Sequence, residues 1–176
     1  HSSQGKTEMW YVFDADEGAR LRSGFARQVT PDRYAASVAD GTLTELLREY
    51  EIHRGDLFFL PAGRIHSIGA GSLIAEIQQT SDITYRIYDF NRRGADGKLR
   101  ELHTELAKEA IDYTVLPDYR TRYTPQPNAA TRLVACPYFT TSLCDLDRPL
   151  TLDCTKLDSF VAAICVEGSG TLAADG

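Results

Sequence analysis

The stretch Gly55-Asp56-Leu57-Phe58-Phe59-Leu60-Pro61-Ala62-Gly63-Arg64-Ile65-His66 decides how the rest of the chain is read. Gly55 permits a turn into a strand because it carries no Cβ to clash. Leu57 to Leu60 are an apolar run of strand length, suited to the wall of a β structure. Pro61 ends that strand because it has no N–H to donate, and Gly63 allows a tight reversal. The returning strand then turns His66 inward, where an imidazole suits a divalent metal. The plainer reading makes His66 a barrel residue with no ligand. A lone histidine would favour that plainer reading, so the metal reading depends on what the whole Gly55–His66 pattern resembles.

Outward from this stretch the chain is a series of short strands separated by Gly and Pro. Upstream, Met9–Phe13, Ala19–Leu21 and Ala26–Val29 have strand character. Thr30-Pro31-Asp32 is a helix start, with Pro at the first helical position. Thr42-x-x-Glu45 matches a capping box. Leu43, Leu46, Leu47 and Tyr50 then have the spacing of one buried helical face. This helical excursion is expected to cover one end of a sheet. Downstream, strands are predicted at Asp56–Leu60, Leu73–Gln78 and Ile83–Asp89. Residues Asn91–Lys98 read as a loop, and Leu99, Leu102 and Leu106 as an amphipathic helix carrying His103. Pro117–Pro127 reads as an extended linker. Strand character returns at Leu133–Cys136, Tyr138–Cys144, Leu150–Cys154 and Phe160–Val166. Many short strands without a βαβ rhythm predict a mainly β sandwich or barrel. The strands after Arg132 are too few to close a barrel, so they open a second β domain or extend the first.

The 176 residues suit one domain, or one domain and part of another. A net charge of −6 argues against a general nucleic-acid binder, so an anionic substrate needs a local basic site. No apolar run reaches the length of a membrane span. Cys136, Cys144, Cys154 and Cys165 contain no C-x2-C pair, and read as reduced, strand-borne thiols of a cytoplasmic protein. The sequence begins at His1 and ends after a glycine-containing stretch, so both ends are expected to continue.

The pattern G-x5-P-x-G-x2-H over Gly55–His66 resembles the second cupin motif, with Ala70 where that motif usually ends in Asn. Two blocks flank it. Leu73-Ile-Ala-Glu76-Ile-Gln78-Gln79-Thr-Ser81-Asp82-Ile-Thr84-Tyr85-Arg86-Ile-Tyr88-Asp89 resembles a signature of type I mannose-6-phosphate isomerases. Gly5-Lys6-Thr7-Glu8-Met9-Trp10-Tyr11 does so too, and the short bacterial form is the nearest match. The resemblance runs from Gly5 to about Arg92 and continues weakly beyond Arg132.

It implies a mainly β fold. A cupin-type jelly-roll barrel with a helical excursion would occupy residues 1–92, with its N-terminal part missing. A loop, helix and linker would span 93–131, and the start of a second cupin-like β domain 132–176. It implies a zinc-dependent aldose–ketose isomerase that interconverts mannose 6-phosphate and fructose 6-phosphate through a cis-enediol. The family holds one zinc through a Gln, two His and a Glu. Glu8 and His66 match two of these ligands, whereas the Gln-x-His pair falls upstream of His1.

Arg86 matches the family's catalytic arginine, and an ion pair with Asp82 or Asp89 is its other reading. Lys6, two residues before Glu8 on an extended chain, points to the same side as Glu8. It matches a lysine proposed for proton transfer or substrate contact; the other reading is a solvated surface lysine. Glu76 falls where the family has a glutamate near the site, and a structural hydrogen bond is the alternative. Trp10, Tyr85 and Tyr88 read as core or site-wall aromatics. The implied partner is a phosphorylated hexose, with no nucleic acid and no membrane, and the oligomeric state stays open. A cupin with other metal chemistry and a non-catalytic sugar-binding or regulatory cupin are the rival functions. With two of four ligands, these residues alone are expected to make a poor isomerase.

Overall fold

The computed structural model describes residues 5–81, 83–88, 96–98 and 101–174. Six strands form two three-stranded antiparallel sheets. The first has the order β4 (Leu57–Leu60), β1 (Glu8–Ala15), β6 (Ser72–Gln78). The second has the order β3 (Leu47–Glu51), β2 (Arg20–Phe25), β5 (His66–Ile68). Alternation along the strands sends every second side chain between the sheets. Trp10 and Val12 of β1, Phe58 and Leu60 of β4, Leu21 of β2 and Tyr50 of β3 meet there in one buried cluster.

The opposite face of β1 is also covered. Met9 and Tyr11 pack with Leu57, Leu133 and Val134. The last two belong to β7 (Ala130–Ala135), which pairs with β8 (Thr140–Cys144) in a separate two-stranded sheet. This double coverage explains why β1 reads as a nearly continuous apolar strand.

The motif folds as its residues require. Gly55 and Gly63 take φ values of +89° and +88°. A Cβ on Gly63 would come within 2.6 Å of the Ala110 carbonyl oxygen. Strand β4 ends at Leu60, before Pro61, and β5 begins at His66. Helix α1 (Pro31–Ala39) starts as predicted, with Thr30 Oγ1 accepting from the Arg33 N–H at 3.2 Å. Phe25, Tyr34, Leu43, Leu46, Leu47 and Ile65 form a second buried cluster, so the helical excursion covers this side of the molecule.

Several expected elements take another form. Leu43–Leu46 is a 3₁₀ turn in which Thr42 makes no side-chain cap, and β3 follows at once. Leu43, Leu46, Leu47 and Tyr50 are all buried, but through a turn and a strand. Pairing with β2 overrides the helical spacing, since tertiary contacts outweigh weak local propensity. Ala26–Val29 is not a strand, and β2 extends only to Phe25. Residues 83–88 lie in no strand, and Asp89 falls outside the described residues. Most of Asn91–Lys98, and Leu99, fall outside them too.

Helix α2 (Thr104–Ala110) buries Ala107 and leaves Leu102 and Leu106 exposed, the reverse of the leucine pattern. His103 is its N-cap. Leu150–Cys154 and Phe160–Val166 are not strands, and residues 151–174 are exposed throughout. A strand needs a neighbour for its N–H and C=O groups, and among the described residues none lies beside them.

Candidate active site

Glu8 opens β1 and pairs across the sheet with Leu60 on one side and Gln78 on the other. Trp10 pairs with Phe58 and Glu76. Side chains of directly paired residues share a face. This register therefore puts Lys6, Glu8, Trp10 and Glu76 on the inner face. On the facing sheet, Ser23 of β2 pairs with His66 of β5. The result is a barrel with an apolar interior and an ionisable cluster at one end.

The cluster is continuous. Lys6 Nζ lies 3.1 Å from Glu8 Oε2 and 2.7 Å from Glu76 Oε1. Glu8 Oε1 lies 3.1 Å from His66 Nε2. His66 Nδ1 donates to the Arg64 carbonyl oxygen at 2.7 Å. The Trp10 ring stands edge-on to the imidazole, centroids 4.8 Å apart. Glu8 is almost fully enclosed, with 2% of its side chain exposed, against 36% for Glu76. Burial alone would raise the Glu8 carboxyl. The hydrogen bond and charge of His66, with contacts from Glu76 and Lys6, outweigh it and hold the group at about 2. Burial pulls the Lys6 ammonium down, but its bonds and charge interactions with Glu76 and Glu8 leave it above its usual value.

The His66 geometry bears on cation binding. A carbonyl oxygen only accepts, so Nδ1 carries a proton. On the neutral ring, the Nε2 lone pair then faces a carboxylate oxygen 3.1 Å away. Two acceptors face to face need a cation between them, whether proton or metal. Ligands about 2.1 Å from a tetrahedral metal sit roughly 3.4 Å apart, so the pair is close to ligating separation. Glu8 and His66 thus fit a shared divalent ion. Among the described residues no group of three His, Cys, Asp or Glu side chains gathers to hold one.

The structure brings Lys6, Glu8, Glu76 and His66 together. For Arg86, the backbone N–H donates to His103 Nδ1 at 3.1 Å and the guanidinium to the Glu101 carbonyl at 3.4 Å. Asp82 and Asp89, its expected ion-pair partners, fall outside the described residues. Two neighbours of His66, Arg64 and Ser23, escaped the sequence reading as parts of the site, whereas Trp10 was read as a core or site-wall aromatic. Arg64 supplies the carbonyl that binds Nδ1. Ser23 is fully buried, and its hydroxyl has no partner among the described residues. The indole N–H of Trp10 is likewise buried and unpartnered. Only strand register reveals Ser23, whereas Arg64 lies inside the motif at a position that any residue satisfies.

Two facing antiparallel sheets with this cluster at one end define a cupin-type fold. Over most of its length the chain is similar to proteins named mannose-6-phosphate isomerase. It is 36% identical over 170 residues to the mannose-6-phosphate isomerase ManA of Bacillus subtilis, covering 96% of this chain and 53% of that protein. It is 39% identical over 141 residues to the mannose-6-phosphate isomerase of Streptococcus mutans, covering 77% of this chain and 43% of that one. The crystal structure of the mannose 6-phosphate isomerase from Bacillus subtilis superposes with a TM-score of 0.69 at 32% identity, over 78% of this chain and 44% of that chain. The chain thus spans about half the length of the curated relatives it matches. No protein-family model matches it. Among the described residues no helix is long and apolar enough to cross a membrane.

Proposed function

We propose that the full-length protein interconverts mannose 6-phosphate and fructose 6-phosphate, moving a proton between C2 and C1 through a cis-enediol. The observation that carries this reading is the unbroken chain His66–Glu8–Lys6–Glu76 at the end of the barrel. Relatives that cover this chain almost end to end bear the name of that activity. The implied zinc fits Glu8 and His66, an imidazole and carboxylate set of the catalytic type. When bound, zinc supplies Lewis-acid polarisation of the substrate oxygens.

The chain's own residues divide the remaining work by exposure. Glu8 is enclosed and engaged with His66, so it stays a carboxylate and holds charge. Glu76 is the carboxylate that a substrate can reach, and Lys6 bridges the two. Lys6 and Glu76 are therefore the pair that handles the migrating proton. Arg86 adds a guanidinium that stays cationic at any working pH, suited to an anionic substrate or enediolate. A phosphorylated hexose is the substrate class, and the cytoplasm, where unpaired cysteines persist, is the compartment. Residues 132–176 form the opening of a second cupin-like β domain, a reading supported by the separate β7–β8 sheet.

A coupled assay of mannose 6-phosphate conversion by the full-length protein with zinc tests the proposal. Turnover is expected. Arg86→Ala should lower it by the equivalent of about 2.7–4 kcal/mol, as removal of a transition-state donor does elsewhere, with fold and zinc content retained. A folded, zinc-loaded protein that turns over no phosphorylated hexose would refute the function. An unchanged turnover number in the variant would remove Arg86 from the mechanism.

A further inference from the structure

Arg64 stands between Gly63 and His66, and its side chain is only 6% exposed. A buried guanidinium requires partners. Among the described residues, Asp112 and Tyr119 of one distant stretch meet it, while its Nε has no hydrogen-bond partner. The guanidinium carbon lies 4.6 Å from the centre of the Tyr119 ring. One of its terminal nitrogens lies 3.5 Å from Asp112 Oδ2. The same stretch binds the turn directly, since the Asp112 N–H donates to the Gly63 carbonyl at 2.9 Å. Tyr119 is itself fixed. Its N–H donates to the Tyr50 hydroxyl at 2.8 Å, and its hydroxyl donates toward the Phe25 and Thr114 carbonyls, both at 3.1 Å. The Gly63–Arg64 turn is therefore held through the Gly63 carbonyl and the Arg64 guanidinium, while the Arg64 carbonyl oxygen receives the His66 Nδ1 proton.

We propose that Arg64 is a positioning residue, whose side chain, held by Asp112 and Tyr119, fixes the carbonyl that sets the His66 tautomer and aims Nε2 at Glu8. Its relevance to metal rests on the function proposed above, but the tautomer lock does not. Partners of this kind, one shell behind a ligand, change metal affinity by about 10–100-fold when removed. Asp112 and Tyr119 lie 46 and 53 residues from His66 in sequence (112 − 66 and 119 − 66). The segment between α2 and β7 is then part of the site's machinery.

Two readouts on the full-length protein test this. The first is the ¹⁵N shifts of the neutral His66 ring, recorded at alkaline pH without metal. Wild type should show the Nδ1–H tautomer, and Arg64→Ala a mixture of both. The second is zinc affinity by chelator competition. It should weaken about 10–100-fold in Arg64→Ala and less in Arg64→Lys, which keeps the charge but loses the planar fork. If Arg64→Ala fails to fold, Asp112→Asn serves, with a smaller shift in the same direction. A single, unchanged tautomer in the folded variants would overturn the proposal, as would undiminished zinc affinity. A wild type that keeps the tautomer lock but binds no zinc would support the positioning role and sink the metal reading instead.

Discussion

Residues 111–127 and 150–174 both lack regular secondary structure, apart from one isolated bridge at Arg120 and another at Pro127, yet they are opposites. The first is stitched to the barrel along its length. Arg48 donates to the Pro117 carbonyl, the Thr121 N–H to the Leu57 carbonyl, and the Tyr123 hydroxyl to the Gly55 carbonyl. Arg120 stacks 4.7 Å over the Tyr50 ring and pairs with Asp56 at 3.2 Å. The second carries more consecutive apolar residues, but none of them joins a buried cluster, and an Arg54–Glu167 ion pair ties it to the barrel. Phe160 is 87% exposed and Ile164 71%. Order here follows tertiary partners, not local propensity: a three-proline segment read as a linker is a strap, and a strand-like segment is uncovered.

The contrast is sharpest at Tyr119. Tyr119→Ala removes a 3%-exposed ring together with its hydrogen bonds, and should cost on the order of 3–5 kcal/mol in denaturant unfolding. A cost near zero would reduce the strap to a linker. Gly24→Ala attacks the same contact from the other side. Gly24 has φ +68°, and a Cβ there would fall 2.1 Å from the Tyr119 ring. The loss should be roughly 1–3 kcal/mol by the same measurement. At the small end, Ile164→Ser should change stability by no more than about 0.5 kcal/mol, because the side chain is 71% exposed and in no buried cluster. A loss comparable to that of Tyr119→Ala would show that residues 150–174 are held as firmly as the strap.

What was legible in the sequence follows the same division. The turn residues Gly55, Pro61 and Gly63 act locally, so the β4–β5 reversal and the inward turn of His66 could be read directly. So could the shared side of Lys6 and Glu8, two residues apart on a strand. The helix start at Thr30 was equally local. The apolar spacing of Leu43, Leu46, Leu47 and Tyr50 was misread because a 3₁₀ turn and a strand bury the same residues as a helix. The strands expected at 150–154 and 160–166 had the right residue types but lack a neighbouring ladder among the described residues. Ser23 could not be placed beside His66 without the β2–β5 register. Arg64 needed knowledge of Asp112 and Tyr119, which reach it only in the folded chain.

The site rests on one juxtaposition, His66 Nε2 facing Glu8 Oε1 at 3.1 Å. Metal analysis of the full-length protein and its His66→Ala variant tests it most directly. One zinc per chain is expected in the wild type, with strongly reduced occupancy in a variant that remains folded. Full zinc content in His66→Ala would contradict the assignment of Glu8 and His66 as ligands.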